Sequence, residues 1–210
     1  YLSNPDNLGS ERYYNKEKDE YEYPEVAMVV MNPSNGDIIG IIGGRGEKTG
    51  KLSYNRATQA VRQPGSSLKP LTVYGRAFEE NLVTLGTIIE DSPVMKYDGS
   101  DWPANADGKY HGDMSIYKAL TNSYNPPAVR VLRLQQDDDG TFSTVLNFAR
   151  DTLKLSSLQD DDKNGLAPLS LGALSKGVTV LEMTRAFSVY ANKGTFTDSR
   201  SYTRVESYSG

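Results

Sequence analysis

Two serine signatures follow one another along this chain. Gln63-Pro64-Gly65-Ser66-Ser67-Leu68-Lys69-Pro70 contains S-x-x-K, and Asn122-Ser123-Tyr124-Asn125-Pro126-Pro127 contains S-x-N. A serine one helical turn from a lysine suits acyl transfer: the amine takes the hydroxyl proton, and the oxygen attacks a carbonyl to form an ester. A K-T-G element completes such a constellation, and none follows Asn125 in the 210 residues.

Ser66 comes directly after Pro64-Gly65, where a helix is predicted to start. Free backbone N–H groups and the positive end of the dipole favour developing oxyanion charge there. Lys69, three residues on, shares a helix face with Ser66, with Cβ atoms about 5–6 Å apart. Ser67 points elsewhere. Pro70 has no N–H to return to the Ser66 carbonyl, so the first turn is expected to be irregular. An isolated S-x-x-K is more often an ordinary capped helix start with an exposed lysine. In the second signature an extended backbone would send Ser123 and Asn125 the same way. They would serve as a proton relay and as an amide gripping the substrate backbone. The same residues equally suit an Asx or Ser turn before Pro126.

The chain carries decoys. Ser115-Ile116-Tyr117-Lys118 repeats S-x-x-K too close to Ser123 to build an opposing wall. Ser53-Tyr54-Asn55 repeats S-x-N, and Lys48-Thr49-Gly50 spells K-T-G in a polar glycine-rich loop ahead of Ser66. His111, the one histidine, reads as a solvated loop residue. Asp160-Asp161-Asp162-Lys163-Asn164-Gly165 begins like a calcium loop but reaches Leu171 where a bidentate glutamate is required, so no metal site is expected. Asp137 to Asp139 reads as a solvated charge run.

The elements that must hold these residues follow from patterning. Residues 1–24 lack apolar periodicity and read as a linker or extended arm. Val26 to Met31 and Ile38 to Ile42 read as paired strands around Asn32-Pro33-Ser34-Asn35-Gly36-Asp37. Their apolar runs predict a sheet covered on both faces. Helices are predicted from Ser66 to about Glu80, from a Ser115 N-cap to Thr121, from Ala128, over Thr141 to Leu153, and over Thr179 to Ala191 before Asn192-Lys193-Gly194. Asp91 to Gly112 reads as loop. Net charge of -4 argues against nucleic acid. No apolar run approaches bilayer length, and Tyr1 to Glu22 is too polar for a signal peptide. The absence of cysteine removes disulfides, thiolate zinc sites and a cysteine nucleophile.

From Ala27 to Gly210 the chain resembles the transpeptidase domain of class A penicillin-binding proteins. The resemblance is carried by Val29-Val30-Met31-Asn32-Pro33 through Gly43-Gly44, Tyr54-Asn55-Arg56-Ala57-Thr58-Gln59-Ala60 and Arg62 to Pro70. Trp102-Pro103-Ala104-Asn105, Ala119 to Pro126, Leu169-Ser170-Leu171-Gly172-Ala173, Val178 to Met183 and Tyr190 to Gly194 continue it. It implies an α+β fold like that of the serine beta-lactamases, with an antiparallel sheet flanked by helices and a helical lobe, over residues 25–210. Ser66 matches the acylated nucleophile, Lys69 its base, and Ser123 and Asn125 the second motif. The implied substrate is the D-Ala-D-Ala end of a peptidoglycan stem peptide, with beta-lactams acylating the same serine, carboxypeptidase side activity and no cofactor. It further implies a membrane-anchored protein with an N-terminal glycosyltransferase domain, acting on the outer face of the bacterial membrane. In the family K-T-G lies on a later strand. The chain therefore reads as part of a longer active protein, and the 210-residue piece alone is expected to be inactive or nearly so. A class A beta-lactamase would need a deacylating glutamate in E-x-x-L-N, which Glu79-Glu80-Asn81-Leu82-Val83 fails to complete. A non-catalytic sensor or scaffold would need none of the four site residues.

Overall fold

The computed structural model describes residues 12–46, 48 and 50–207. Its strands are Tyr13–Asn15 (β1), Glu20–Glu22 (β2), Met28–Met31 (β3), Ile38–Ile42 (β4), Ile88–Asp91 (β5), Met95–Tyr97 (β6), Ser100–Trp102 (β7) and Gly112–Ser115 (β8). Its α-helices are Arg76–Glu79 (α1), Ile116–Thr121 (α2), Asn125–Arg133 (α3), Ser143–Asn147 (α4), Ala167–Leu171 (α5) and Val180–Ala191 (α6). The described strands pair as antiparallel ribbons, β1 with β2, β3 with β4, β5 with β8 and β6 with β7. This mixture of helices and antiparallel strands is the expected α+β class. The chain divides into two compact units, Tyr1–Val61 with Thr179–Gly210, and Arg62–Val178.

In the first unit the Asn32 to Asp37 turn closes the β3–β4 hairpin, with Gly36 in the left-handed region at φ 77°. Helix α6 packs on β3. Thr179 caps α6 by accepting from the Glu182 N–H, and the Glu182 carboxylate reaches back to the Thr179 N–H, a reciprocal capping box. The helix stops where the sequence predicts, with Gly194 N–H donating to the Val189 carbonyl. The expected two-sided cover is not observed: Met28, Val30, Ile39 and Ile41 are exposed. A two-stranded ribbon with one helix beside it leaves a face open, and Met28 to Met31 alternates exposed and half-buried accordingly. Residues 13–22, part of the expected arm, form the β1–β2 hairpin with Tyr13, Tyr14 and Tyr21 exposed. The rest of that arm, residues 1–11, lies outside the described residues.

The second unit holds both serine signatures. The helix expected from Ser66 forms as a relay: a 3-10 turn over Gly65–Leu68, a π segment over Pro70–Gly75, then α1. Lys69 N–H closes the 3-10 turn on the Ser66 carbonyl. Pro70 has no N–H to continue that ladder, and the wider π spacing follows directly. Gln135 caps the displaced Val73 carbonyl with its Nε2 at 2.9 Å. Leu68, Leu71, Val73, Tyr74 and Ala77 are buried and Phe78 is half-buried, with α3 against the π segment and α5 against the 3-10 turn. Each such large side chain contributes about 1.5–3 kcal/mol on burial, enough to anchor the segment that carries Ser66.

Two stretches depart from their expected form. Asp91 to Gly112 is not simply loop: β5 pairs with β8 around an inner β6–β7 hairpin. The β5–β8 pairing joins residues more than twenty positions apart and leaves no local sign, whereas β6–β7 closes over Asp98-Gly99, both at positive φ, a local turn signal that the loop reading passed over. The helix expected over Thr141 to Leu153 begins at Ser143 and finishes as a π segment, Phe148–Thr152. Two acidic stretches turn out to be structural. The Asp137 carboxylate accepts from Thr144 N–H and hydroxyl, and Asp162 is fully buried, accepting from the backbone N–H of Gln159 and of Ser175.

Candidate active site

Lys69 is 1% exposed, and among the described residues no carboxylate bonds its amine. Its Nζ donates to the Ser123 carbonyl and to Asn125 Oδ1, both at 2.6 Å, with Ser123 Oγ and the Tyr124 carbonyl each at 3.3 Å. Accepting oxygens favour the ammonium, but burial outweighs them and pushes the lysine down to about 8. The geometry suits either protonation state. A neutral amine keeps two N–H bonds, enough for the two short contacts, and its lone pair is then free for a third direction.

Ser66 sits one turn earlier and is exposed. Among the described residues no hydrogen bond joins the Ser66 hydroxyl to the Lys69 amine; such contacts commonly tighten only around substrate. Ser67 turns its Oγ into the Pro64 carbonyl at 2.6 Å, leaving Ser66 the outward hydroxyl. A strap holds the preceding residues in place. Arg62 and Val178 exchange two backbone hydrogen bonds at 2.9 Å, and the Gln63 amide both donates to and accepts from the Leu174 backbone. Gly172, left-handed at φ 68°, lies so close that a Cβ there would stand 2.2 Å from the Gly65 carbonyl oxygen. Only a glycine fits that approach.

The S-x-N segment differs from the expected extended strand. Ser123 takes a left-handed conformation, φ 57°, in the turn leaving α2, and Asn125 already belongs to the first turn of α3. Helix α3 thus starts three residues before Ala128. The two side chains still converge, because the turn swings the Ser123 carbonyl and hydroxyl onto Lys69 while the helix start presents Asn125. Asn125 Nδ2 also donates to the Ala104 carbonyl at 2.7 Å, which leaves the amide one further hydrogen to offer. All four sequence-predicted residues therefore gather within one compact unit.

The decoys are used up locally. Ser115 Oγ accepts from the Lys118 N–H as the N-cap of α2. Ser53 Oγ donates to the Gly50 carbonyl, and Asn55 Oδ1 accepts from the Ala57 N–H. Thr49 of the early K-T-G lies outside the described residues. His111 is more than a solvated loop residue. Its ring stacks on Tyr124 at 4.5 Å and its Nε2 bonds Asp107 at 2.9 Å. No group of three or more metal-ligating side chains occurs among the described residues. Two residues without any assigned role in the sequence also enter the site: Asp91, 0% exposed, and Asn105, which links Asp91 to the backbone of Asn125. Asn105 stood in a family word but with no periodic signal to mark its partner.

Comparison with known proteins shows the family. The family model for the penicillin binding protein transpeptidase domain matches residues 26–207. Penicillin-binding protein 1A of Clostridium acetobutylicum is 35% identical over 220 residues, covering 100% of this chain and 26% of that protein. Penicillin-binding protein 4 of Bacillus subtilis is 36% identical over 183 residues, covering 86% of the chain and 27% of that protein. The chain thus spans about a quarter of the length of the curated relatives it matches. Among solved structures, penicillin-binding protein 1A from Haemophilus influenzae superposes with a TM-score of 0.62 at 30% identity, covering 86% of this chain and 26% of its own. PonA1 from Mycobacterium tuberculosis in complex with penicillin V gives a TM-score of 0.65 at 26% identity, covering 82% and 45%.

Proposed function

The chain belongs to the penicillin-binding protein transpeptidase family, in its class A branch, and we propose that it carries the acylation centre of a serine D,D-transpeptidase with Ser66 as nucleophile. The substrate is the D-Ala-D-Ala terminus of a stem peptide. Neutral Lys69 takes the Ser66 Oγ proton as the oxygen bonds the carbonyl carbon of the penultimate D-Ala. The carbon–nitrogen bond then breaks, the terminal D-Ala leaves as the amine with a proton relayed through Ser123, and an ester remains on Ser66. A second stem peptide's amine attacks that ester, restoring the hydroxyl and closing the cross-link. Water in place of the amine gives the carboxypeptidase outcome. Asn125 uses its remaining amide hydrogen to hold a substrate backbone carbonyl. Beta-lactams follow the same first step, but the leaving nitrogen stays tethered to the acyl group.

One observation carries this reading: a buried lysine, pushed down to about 8, bound by Ser123 and Asn125 oxygens one turn from an exposed serine. Its relatives are named for binding penicillin and are about four times as long as this chain, which supports the membrane anchor, the glycosyltransferase domain and the action outside the membrane that the resemblance implies. Among the described residues no helix is long and apolar enough to cross a bilayer. The test is mass spectrometry of the protein carrying this chain after penicillin treatment. The adduct is expected on Ser66; an adduct on Ser67, Ser123 or another residue overturns the assignment.

A further inference from the structure

We propose that Asp91 and Asn105 are positioning residues that set the polarity and aim of Asn125, and through it of Lys69. The inference rests on the acylation reading above.

Asn105 lies between two very different neighbours. Its Nδ2 donates to both Asp91 oxygens, at 3.0 and 2.8 Å, and to the Lys109 carbonyl at 2.8 Å. Its Oδ1 accepts from the Asn125 N–H at 2.7 Å. An amide turned the other way would aim its oxygen at a carboxylate and a carbonyl, and its NH₂ at an N–H. A carboxylate and a carbonyl accept only, so Asp91, together with the Lys109 carbonyl, sets the orientation of Asn105.

That choice matters because of where Asn125 sits. Helix α3 opens Asn125-Pro126-Pro127, and the two prolines have no N–H. Asn125 therefore carries the one backbone donor among the first three helical residues, and Asn105 captures it. The neighbouring Ala104 carbonyl takes Asn125 Nδ2. With backbone and amide nitrogen both held by residues 104 and 105, Oδ1 faces Lys69 at 2.6 Å. Asp91 has a second route to the same segment. It accepts from the His111 N–H at 2.9 Å, and the His111 ring stacks on Tyr124, between Ser123 and Asn125. Among the described residues no ion pair offsets this buried carboxylate. It accepts from two groups, the Asn105 amide and the His111 backbone N–H, and both lead into the S-x-N turn.

A polarity swap distinguishes positioning from bulk structure. Asp91→Asn sets an NH₂ where a carboxylate oxygen accepted from Asn105, leaving the Lys109 carbonyl as the acceptor that still holds its amide nitrogen. Asn105→Asp sets a carboxylate against a carboxylate. The double variant Asp91→Asn with Asn105→Asp restores donor and acceptor between positions 91 and 105 and at the Asn125 N–H, leaving the Lys109 carbonyl without its donor. The new amide at position 91 turns its NH₂ to one oxygen of residue 105, and the other oxygen again accepts from the Asn125 N–H. Acylation of Ser66 by a fluorescent penicillin is measured in the protein carrying this chain, separating the limiting rate from the half-saturating concentration, with thermal unfolding alongside. Each single variant is expected to lower the limiting rate by about 10-fold or more, within what misplacing a reacting group costs, and the swapped pair to recover part of it. Singles that keep the native rate overturn the proposal, as does a folded swapped pair no faster than the slower single. If one single variant fails to fold, the swapped pair is compared with the other, and a pair no faster than that one overturns the proposal. A native protein that takes no penicillin on Ser66 would instead sink the nucleophile assignment itself, so the two failures are told apart.

Discussion

Replacing Lys69 with methionine is expected to slow acylation of Ser66 by about 10²–10⁴-fold, the range that one positioned base supplies. The unsubstituted protein should accelerate as pH climbs through about 8, since burial has lowered the lysine to that value and only the neutral amine has a lone pair to give. Below that point the group is an ammonium, fully bonded and idle. In the methionine variant this rise disappears together with the rate. Lys69→Arg refines the test: a guanidinium still donates to the surrounding oxygens but stays charged at any accessible pH, so it should be as slow as methionine. Methionine leaves the Ser123 carbonyl and Asn125 Oδ1 without their short donor, each a cost of about 1–3 kcal/mol, partly offset by removing a buried amine. The rate loss should thus far exceed what a small change in melting temperature explains. A stopped-flow acylation series across pH checks this; an arginine variant as fast as the native protein would remove Lys69 from the role of base.

Gly172→Ala should cost both stability and rate. The left-handed backbone alone penalises alanine by about 1–2 kcal/mol. The new methyl would also stand 2.2 Å from the Gly65 carbonyl oxygen and 2.6 Å from its nitrogen. Backbone cannot rotate away as a side chain can, so the turn that presents Ser66 has to move. Displacement of about 1 Å in a reacting group is enough for roughly a 10²-fold loss. Gly140→Ala is the control, because Gly140 is also left-handed, φ 80°, and a Cβ there meets only the end of the Gln136 side chain at 4.0 Å. Both variants should lose comparable backbone stability, but only Gly172→Ala should acylate slowly. Equal penicillin-labelling rates in the two would show that the strap does not set the nucleophile.

These two residues were legible to different degrees. Lys69 could be picked from the chain because its relation to Ser66 is local: three residues along a helix is one turn, whatever the rest of the molecule does. The caps at Ser115 and Thr179, the stop at Gly194 and the irregularity at Pro70 are legible for the same reason. Gly172 was visible only as a letter in a family word. Its contact is with a residue more than a hundred positions earlier, and no periodicity marks it.

From the amino-acid order alone came the reacting groups, their helical spacing, the α+β class and the family they belong to, since each depends on interactions within about four residues or on words read whole. Folding decided the electrical character of the lysine, the left-handed turn at Ser123, the early start of α3 and the open face of β3–β4. It also brought Asp91 and Asn105 to Asn125. These depend on burial and on hydrogen bonds across 14 to 56 residues. A lysine in sequence has no dielectric; it acquires one only when other parts of the chain close over it.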